Sequence, residues 1–193
     1  GPEPVVAAGH SLGEFTAHVA AGALPVEDAV RLVRARGSYM QEAVAPDEGA
    51  MAAILKLDDE VVEALCAEAR DAGGVVEVAN LNSPGQVVVS GQAGPVAAVA
   101  ETAKDRGGRA VPLKVSAPFH CSLMRPAAER LATDLAQVRF APGAFPVICN
   151  VDARPLPSPD AAPALLEAQV TAPVRWTETV RAIDAMGVDR WVE

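Results

Sequence analysis

The residues Gly-His-Ser-Leu-Gly at positions 9–13 constrain the fold of this chain more than any other feature. They follow an apolar run at residues 5–8, and helix-forming residues resume over residues 14–21. A Gly-x-Ser-x-Gly turn between a strand and a helix is the context of a nucleophile elbow. We therefore predict that Ser11 is a nucleophile, that both glycines allow strand and helix to approach closely, and that the N–H of Leu12 faces a developing oxyanion. The alternative is an ordinary Gly-Ser turn.

Composition excludes several classes of protein. No run of the 193 residues approaches 18 consecutive apolar positions, so we expect no membrane-spanning helix and no membrane partner. The net charge of −9 argues against nucleic acid as a partner. Cys66, Cys121 and Cys149 are odd in number and far apart, which favours reduced thiols over disulfides or a metal site. We expect a cytoplasmic protein.

The middle of the chain has the pattern of a separate subdomain. A breaker cluster at residues 45–49 precedes a regular alternation of elements. Strands are predicted at 51–57, 75–78, 86–90 and 109–115, a first helix after Asp58, a turn at 82–85 and a second helix at 95–105. This β-α-β-β-α-β order is the split βαβ, or ferredoxin-like, pattern. We predict an inserted ferredoxin-like subdomain at 49–115, with the main catalytic subdomain formed by 1–48 and 116–193.

The flanking parts read as helices and short strands of an α/β domain. Apolar residues at helical spacing predict a helix over residues 25–43 and another marked by apolar positions from Met124 to Val138. A short strand is predicted at 146–150, helices near 164–169 and 176–185, and a last strand beginning at 190–193. With strands near both chain ends, we expect the sheet to be cut short on both sides.

A serine nucleophile needs a base within hydrogen-bond reach, and the chain has three histidines. His10 adjoins the serine in a sharp turn and points elsewhere, while His18 lies within the helix that follows the elbow. His120 lies where the inserted subdomain returns the chain to the main domain, a natural place for a loop over a cleft. We favour His120 as the base; a hydrogen-bonded loop histidine is the alternative.

Arg36 is the second informative residue. It lies in a helix that also carries Arg31 and Arg34, so a solvated charge is the default interpretation. However, it falls on the side of the helix that carries Val33 and Met40. A guanidinium near a serine nucleophile would bind a carboxylate with two hydrogen bonds. Spacing alone leaves both interpretations open.

Four ordered segments carry a family resemblance. They are Gly-His-Ser-Leu-Gly-Glu at 9–14, Arg-Gly-Ser-Tyr-Met-Gln-Glu-Ala at 36–43, Asn-Leu-Asn-Ser-Pro-Gly-Gln-Val-Val at 80–88 and Pro-Phe-His-Cys-Ser-Leu-Met at 118–124. With Pro-Val-Arg-Trp at 173–176, they resemble the malonyl-CoA:acyl-carrier-protein transacylases of fatty acid synthesis and the related acyltransferase domains of polyketide synthases. The resemblance runs from about residue 5 to residue 193. It implies an α/β-hydrolase-like main domain with an inserted ferredoxin-like subdomain.

The resemblance also implies roles for particular residues. Ser11 is acylated, His120 is its base, and Arg36 pairs with the free carboxylate of the malonyl group. The main-chain carbonyl of Gln169 orients the histidine in place of an acidic residue. The further candidate substrate-binding residues are Phe119, His10 and Met40.

The implied reaction is a ping-pong transfer of a malonyl group from coenzyme A to the phosphopantetheine thiol of an acyl carrier protein. It needs no metal or redox cofactor. The family pattern also has a Gly-Gln-Gly loop before these residues and a Gly-Pro-Gly loop after them. We therefore expect this chain to be the middle of a longer transacylase.

Two other functions stay open from the residues alone. A serine esterase or thioesterase of the α/β-hydrolase class would also need the elbow, but it predicts an acidic triad member between serine and histidine. The candidates Asp58, Asp59 and Asp105 all fall within the inserted pattern. A truncated acyltransferase module without catalytic activity is the second alternative.

Overall fold

The computed structural model describes residues 3–115 and 117–192 and has an α/β architecture, as predicted. In chain order the elements are β1 (Ala7–Ala8), α1 (Leu12–Ala20), α2 (Val26–Glu42), β2 (Gly49–Leu55), α3 (Asp59–Asp71), β3 (Val76–Ser83), β4 (Gln86–Gln92), α4 (Ala93–Asp105), β5 (Arg109–Pro112), a 3-10 helix (Ser122–Met124), α5 (Arg125–Leu135), β6 (Val147–Ile148), a 3-10 helix (Pro159–Ala161), α6 (Ala162–Gln169) and α7 (Trp176–Asp184).

The middle of the chain forms a four-stranded antiparallel sheet in the order β3-β4-β2-β5. Helices α3 and α4 cover one face, because alternate residues of each strand, such as Ile54 and Val89, pack against apolar residues such as Leu65 and Val99. The elements from β2 to β5 therefore follow the β-α-β-β-α-β order expected from the sequence.

The opposite face of this sheet meets the rest of the molecule. Met51, Ala79 and Val88 form a small apolar cluster there, against which Phe119 packs. The edge strand β3 also pairs with the segment before α7, since the Leu81 N–H donates to the Val174 carbonyl at 2.9 Å. The sheet is thus attached to the remaining helices through both its face and its edge.

The second core lies among helices α1, α2, α5 and α6, where Phe15, Leu32, Leu131 and Leu166 are buried together. Beside it, β1 and β6 pair in parallel, with Ala7 opposite Val147 and Ala8 opposite Ile148. Parallel strands end at the same edge of a sheet, so the chain segments that follow β1 and β6 emerge side by side. This places the elbow residues next to those that follow Ile148.

Several element boundaries differ from the prediction. Strands β1 and β6 are two residues long, and α5 begins after a 3-10 helix and ends before Val138. Strand β3 continues through the predicted turn, which is confined to residues 84–85, where Gly85 has φ 71°. Strand β5 stops at Pro112, which lacks a donor N–H. No strand forms at residues 190–192, and residue 193 lies outside the described range.

The structure also bears on the expectations of reduced thiols and of no membrane-spanning helix. The thiols of Cys66, Cys121 and Cys149 are all free and buried. Burial raises the pKa of the Cys66 thiol to about 12, so this group stays protonated at neutral pH. Within the described ranges, no helix combines the length and apolar character that crossing a bilayer requires.

Candidate active site

Ser11 occupies a sharp turn between β1 and α1. Its backbone has φ 54° and ψ −108°, a conformation that residues other than glycine rarely adopt and that costs about 1–3 kcal/mol. A side chain at Gly9 would overlap the backbone of Gly13, so position 9 requires glycine. The backbones of strand and helix therefore approach closely at these two glycines, and because an added Cβ at Gly13 meets nothing within 4 Å, the approach itself requires glycine only at position 9.

The Ser11 hydroxyl contacts the predicted base. His120 Nε2 lies 2.7 Å from Ser11 Oγ, and His120 Nδ1 lies 2.9 Å from the Gln169 carbonyl oxygen. A carbonyl oxygen only accepts hydrogen bonds, so Nδ1 carries the ring proton. Nε2 is then the unprotonated nitrogen and accepts the hydrogen bond from the Ser11 hydroxyl. This is the tautomer that a general base needs.

The electrostatic surroundings of His120 favour its neutral form. The side chain is 4% exposed, and its backbone also has a positive φ, of 59°. Burial lowers the pKa of His120 to about 4, and the positive charge of Arg36 acts in the same direction. At neutral pH the imidazole is therefore free to accept a proton.

Arg36 also reaches the nucleophile, from α2. Its Nη2 donates to Ser11 Oγ at 2.9 Å and to the Gln169 side-chain Oε1 at 3.0 Å. The side chain is 6% exposed, and the face of the Phe15 ring lies 6.0 Å from its guanidinium carbon. Burial lowers the pKa of Arg36 to about 10, so it remains a cation at neutral pH. Its Nε has no hydrogen-bond partner among the described residues.

Residues that the sequence analysis did not single out hold the elbow in place. Asn150, two residues after Ile148, accepts the Ser11 N–H with Oδ1 at 2.7 Å and donates from Nδ2 to the Gly9 carbonyl at 2.9 Å. Glu14, in the first turn of α1, is fully buried behind the serine. An asparagine at the end of the strand predicted at 146–150 was the available signal for Asn150.

The loop that carries His120 is fastened to the sheet. Glu77 of β3 accepts hydrogen bonds from the hydroxyl of Ser122 at 2.6 Å and from its N–H at 2.8 Å. Ser122 begins the 3-10 helix two residues after His120. The position of the base therefore depends on a carboxylate supplied by the sheet.

The remaining predicted site residues have different surroundings. Leu12 is at the start of α1, and its N–H donates to no group within the described ranges, as expected for the first turn of a helix. His10 Nε2 lies 2.9 Å from Asn82 Oδ1, and its ring centroid is 5.5 Å from that of Trp176. Met40 is buried in the apolar core one turn beyond Arg36, so its substrate contact stays a prediction. So does that of Phe119, which is partly buried between the two cores.

Comparison with known proteins shows the family. The model of the acyl transferase domain matches residues 1–193. This chain belongs to the acyl transferase domain family. The site described above, with a serine, a histidine and an arginine around one hydroxyl, is therefore found in a member of an acyl-transferring family.

The relatives of this acyl transferase domain carry a more specific name. The chain is 46% identical over 194 residues to the malonyl CoA-acyl carrier protein transacylase of Escherichia coli K12, covering 100% of this chain and 62% of that protein. The enzyme of the same name from Bacillus subtilis 168 is 45% identical, with coverages of 100% and 61%. The chain thus spans about three fifths of the length of these curated relatives.

Solved structures give the same result. The malonyl CoA-acyl carrier protein transacylase of Coxiella burnetii superposes with a TM-score of 0.95 at 46% identity, over 97% of this chain and 60% of that one. A malonyl-transacylase in complex with its type II PKS acyl-carrier protein gives 0.94 at 46% identity, over 97% and 61%. The α/β fold of this acyl transferase domain is therefore that of the solved transacylases.

Proposed function

We propose that this acyl transferase domain transfers a malonyl group from coenzyme A to the phosphopantetheine thiol of an acyl carrier protein. The observation that carries the proposal is the single hydroxyl of Ser11, which lies within 2.9 Å of both the His120 imidazole and the Arg36 guanidinium. A nucleophile next to a base and a buried cation suits a thioester that also bears a carboxylate. The names of the relatives support this choice of substrate and partner.

The first half of the reaction acylates the serine. His120 Nε2 takes the hydroxyl proton of Ser11 while Oγ attacks the thioester carbonyl. The tetrahedral oxyanion is stabilised by the free N–H of Leu12. The C–S bond then breaks, coenzyme A takes the proton from His120 Nε2, and a malonyl-Ser11 ester remains.

The second half returns the enzyme to its starting state. The phosphopantetheine thiol gives its proton to His120 Nε2, and its sulfur attacks the ester carbonyl. The C–O bond to Ser11 breaks, and Oγ recovers the proton from His120. Both halves need proton transfer and oxyanion stabilisation alone, so we propose that the reaction runs without a metal or redox cofactor.

Arg36 is proposed to recognise the free carboxylate of the malonyl group. A buried guanidinium with an unpartnered Nε has a donor available for a second, parallel hydrogen bond. Its bond to Ser11 Oγ would be exchanged for bonds to the substrate. This exchange also leaves the hydroxyl free to attack.

We further propose the division into subdomains given above, with residues 49–115 inserted between 1–48 and 116–193. The four-stranded sheet and its two helices occupy Gly49–Pro112 and enclose a core of their own, which supports this division. A cytoplasmic location is also proposed, because the thiols are free and the expected substrates are coenzyme A and carrier-protein thioesters.

The proposal is tested by incubating the protein with malonyl-CoA. We expect a mass increase of one malonyl group that is absent from Ser11→Ala. Free coenzyme A should accumulate with turnover only when a carrier protein is present. Continuous coenzyme A release without carrier protein would identify an esterase or thioesterase instead, and neither adduct nor release would identify a non-catalytic module.

Arg36 separates a malonyl transferase from a general acyl transferase. Arg36→Ala should lower kcat/KM for malonyl-CoA. The corresponding loss of transition-state stabilisation should be about 2–5 kcal/mol, the range for removing one partner of a buried charge pair. Transfer from acetyl-CoA, which has no carboxylate, should be unchanged or improved. Arg36→Lys should restore part of the malonyl activity, because a point charge cannot reproduce the two-donor fork. Equal losses with both substrates would show that Arg36 has a structural role.

A further inference from the structure

A carboxylate is buried directly behind the nucleophile. Glu14 follows Ser11 by three residues, has no exposed surface, and accepts two hydrogen bonds at Oε2: from the Asn150 N–H at 2.9 Å and from Gln169 Nε2 at 2.7 Å. Burying a carboxylate lowers the free energy of unfolding unless the group is hydrogen-bonded or paired with a positive charge. Nothing in the reaction proposed above uses this group, so its burial beside the nucleophile needs another explanation.

The side-chain amide of Gln169 joins this carboxylate to the arginine. Its Nε2 donates to Glu14 Oε2 and to the Ser11 carbonyl at 3.1 Å, and its Oε1 accepts from Arg36 Nη2 at 3.0 Å. The first two partners only accept hydrogen bonds, so they fix which end of the amide carries the nitrogen. The oxygen end is thereby directed to the arginine.

The same residue also supports the base. The main-chain carbonyl of Gln169 is the acceptor for His120 Nδ1. Side chain and main chain of one residue thus serve the two groups that contact Ser11 Oγ. Whatever fixes Gln169 therefore affects both the cation and the base.

We propose that Glu14 is a positioning residue of this active site: through the side-chain amide of Gln169, its carboxylate fixes the Arg36 guanidinium and the segment that orients His120. This rests on the acyl-transfer function proposed above. Glu14 makes no contact with the reacting atoms, so it acts only through its neighbours.

The electrostatics are consistent with such a role. Glu14 and Arg36 interact favourably through their charges, while burial raises the pKa of Glu14 to about 7. The groups that face the carboxylate are Arg36 from α2, Gln169 from α6, and Cys149 and Asn150 after β6. An amide, and not a direct ion pair, separates the two charges. The ionised form of Glu14 therefore gives Arg36 a counter-charge nearby, while the Nε donor of Arg36 stays available for a substrate carboxylate.

The test compares Glu14→Gln with Glu14→Ala. Glutamine can keep an acceptor at the Oε2 position, because Oε1 has no hydrogen-bond partner in the described residues, so this variant removes mainly the charge. Alanine removes both the charge and the acceptor. We expect kcat/KM for malonyl-CoA to fall by about 100-fold in Glu14→Ala, with substantial rescue in Glu14→Gln, as for loss of hydrogen bonds at a charged group. The ratio of malonyl to acetyl transfer should fall by about tenfold in Glu14→Ala.

Two controls separate positioning from general damage. Ala17 is buried in the same helix as Glu14 but belongs to the apolar cluster around Val147. The variant Ala17→Gly should therefore lower the melting temperature without changing the malonyl-to-acetyl ratio. Glu27→Gln removes an exposed charge from α2 and should change neither. An unchanged ratio in Glu14→Ala would overturn the proposal.

A second readout does not depend on malonyl-CoA. A fluorophosphonate probe reacts with an activated serine hydroxyl whatever the natural acyl group, so its labelling rate reports on Ser11 and the groups that contact its hydroxyl, including His120 and Arg36. The rate should fall in Glu14→Ala and in Gln169→Ala, and the double variant should be no slower than the slower single variant. Independent, multiplying effects would overturn the link through Gln169, even if malonyl-CoA proved not to be the substrate.

Discussion

The region around Ser11 and the four-stranded sheet differ in what they bury. The core of the sheet is built from aliphatic residues and Cys66, and the buried polar residues among its strands are Asn80 and Ser90. The region around Ser11 buries one carboxyl group, one guanidinium group, one imidazole and two side-chain amides. They belong to Glu14, Arg36, His120, Asn150 and Gln169. Each buried polar group costs free energy unless its hydrogen bonds are satisfied.

The backbone shows a weaker contrast. In the sheet region, positive φ occurs at Gly73, Gly85 and Gly107, and Lys56 also adopts it. In the site region, Ser11 and His120 adopt positive φ without being glycine, so both residues that must react have a strained backbone. The sheet region thus contributes stability, and the site region holds groups in unfavourable positions that suit catalysis.

The largest effect should come from His120→Ala. Loss of the general base should lower kcat/KM for malonyl-CoA by at least about 100-fold. Because this change removes a buried polar side chain whose desolvation opposes folding, we expect little loss in the free energy of unfolding. Activity and urea denaturation should be measured on the same sample. A large loss of stability would show that His120 also stabilises the fold through its hydrogen bonds to Ser11 and Gln169.

The opposite result is expected for Ile54→Ala in the central strand β2. Ile54 has no exposed surface, so its truncation should lower the free energy of unfolding by about 2–5 kcal/mol. Below the unfolding temperature, kcat/KM should stay within about twofold, since surface and core changes away from the site act through the folded population. A loss of activity in the fully folded variant would show that the sheet does more than support the site.

The sheet region could be predicted from sequence because its signals are local. Alternating apolar residues, breakers and helical spacing placed every strand and helix of the β-α-β-β-α-β unit. The errors lie at boundaries: the register of β3 shifts between Val78 and Asn80 and between Leu81 and Ser83, so pairing continues into a segment that reads as a turn.

The site depends on contacts that no local pattern records. Ser11 is 139 residues from Asn150 and 158 from Gln169. Glu14 reads as an ordinary acid in the first turn of a helix, where it would complement the helix dipole. Ser11, His120 and Arg36 were found through the elbow motif and the family resemblance, but neither feature reports that the side chain of Gln169 connects Arg36 to Glu14.

Replacing the buried His18 of α1 should increase the free energy of unfolding. It has no exposed surface and neither ring nitrogen has a hydrogen-bond partner among the described residues, and burial lowers its pKa to about 4. Between this value and about 6.5, the unfolded chain binds the proton more tightly, so stability falls as the pH falls. His18→Leu should therefore gain about 2 kcal/mol more at pH 5 than at pH 8.

Denaturation of wild type and variant at both pH values measures this difference. Glu14 affects the pH dependence of stability in the opposite direction. Its raised pKa of about 7 means that the folded state binds the proton more tightly than the unfolded chain, so this contribution to stability increases as the pH falls. That contribution and the one from His120 are present in both proteins and cancel in the comparison. An equal gain at pH 5 and pH 8 would show that the pKa of His18 is the same in the folded and unfolded states, contrary to the effect of burial.

The smallest effect is expected at Phe119, where the two regions meet. The ring packs against both the helical core and the Met51 cluster of the sheet, one residue before the base. If it also borders the C2 carbon of the malonyl group, Phe119→Ser should raise methylmalonyl transfer relative to malonyl transfer. One methyl group in an apolar pocket is worth about 1–3 kcal/mol, and we expect the lower end because serine also loosens the contact between the regions. Phe119→Leu, which keeps most of the apolar contact, is the matched control. If the ratio of the two kcat/KM values stays the same in Phe119→Ser while its stability falls, Phe119 joins the two regions and takes no part in substrate selection.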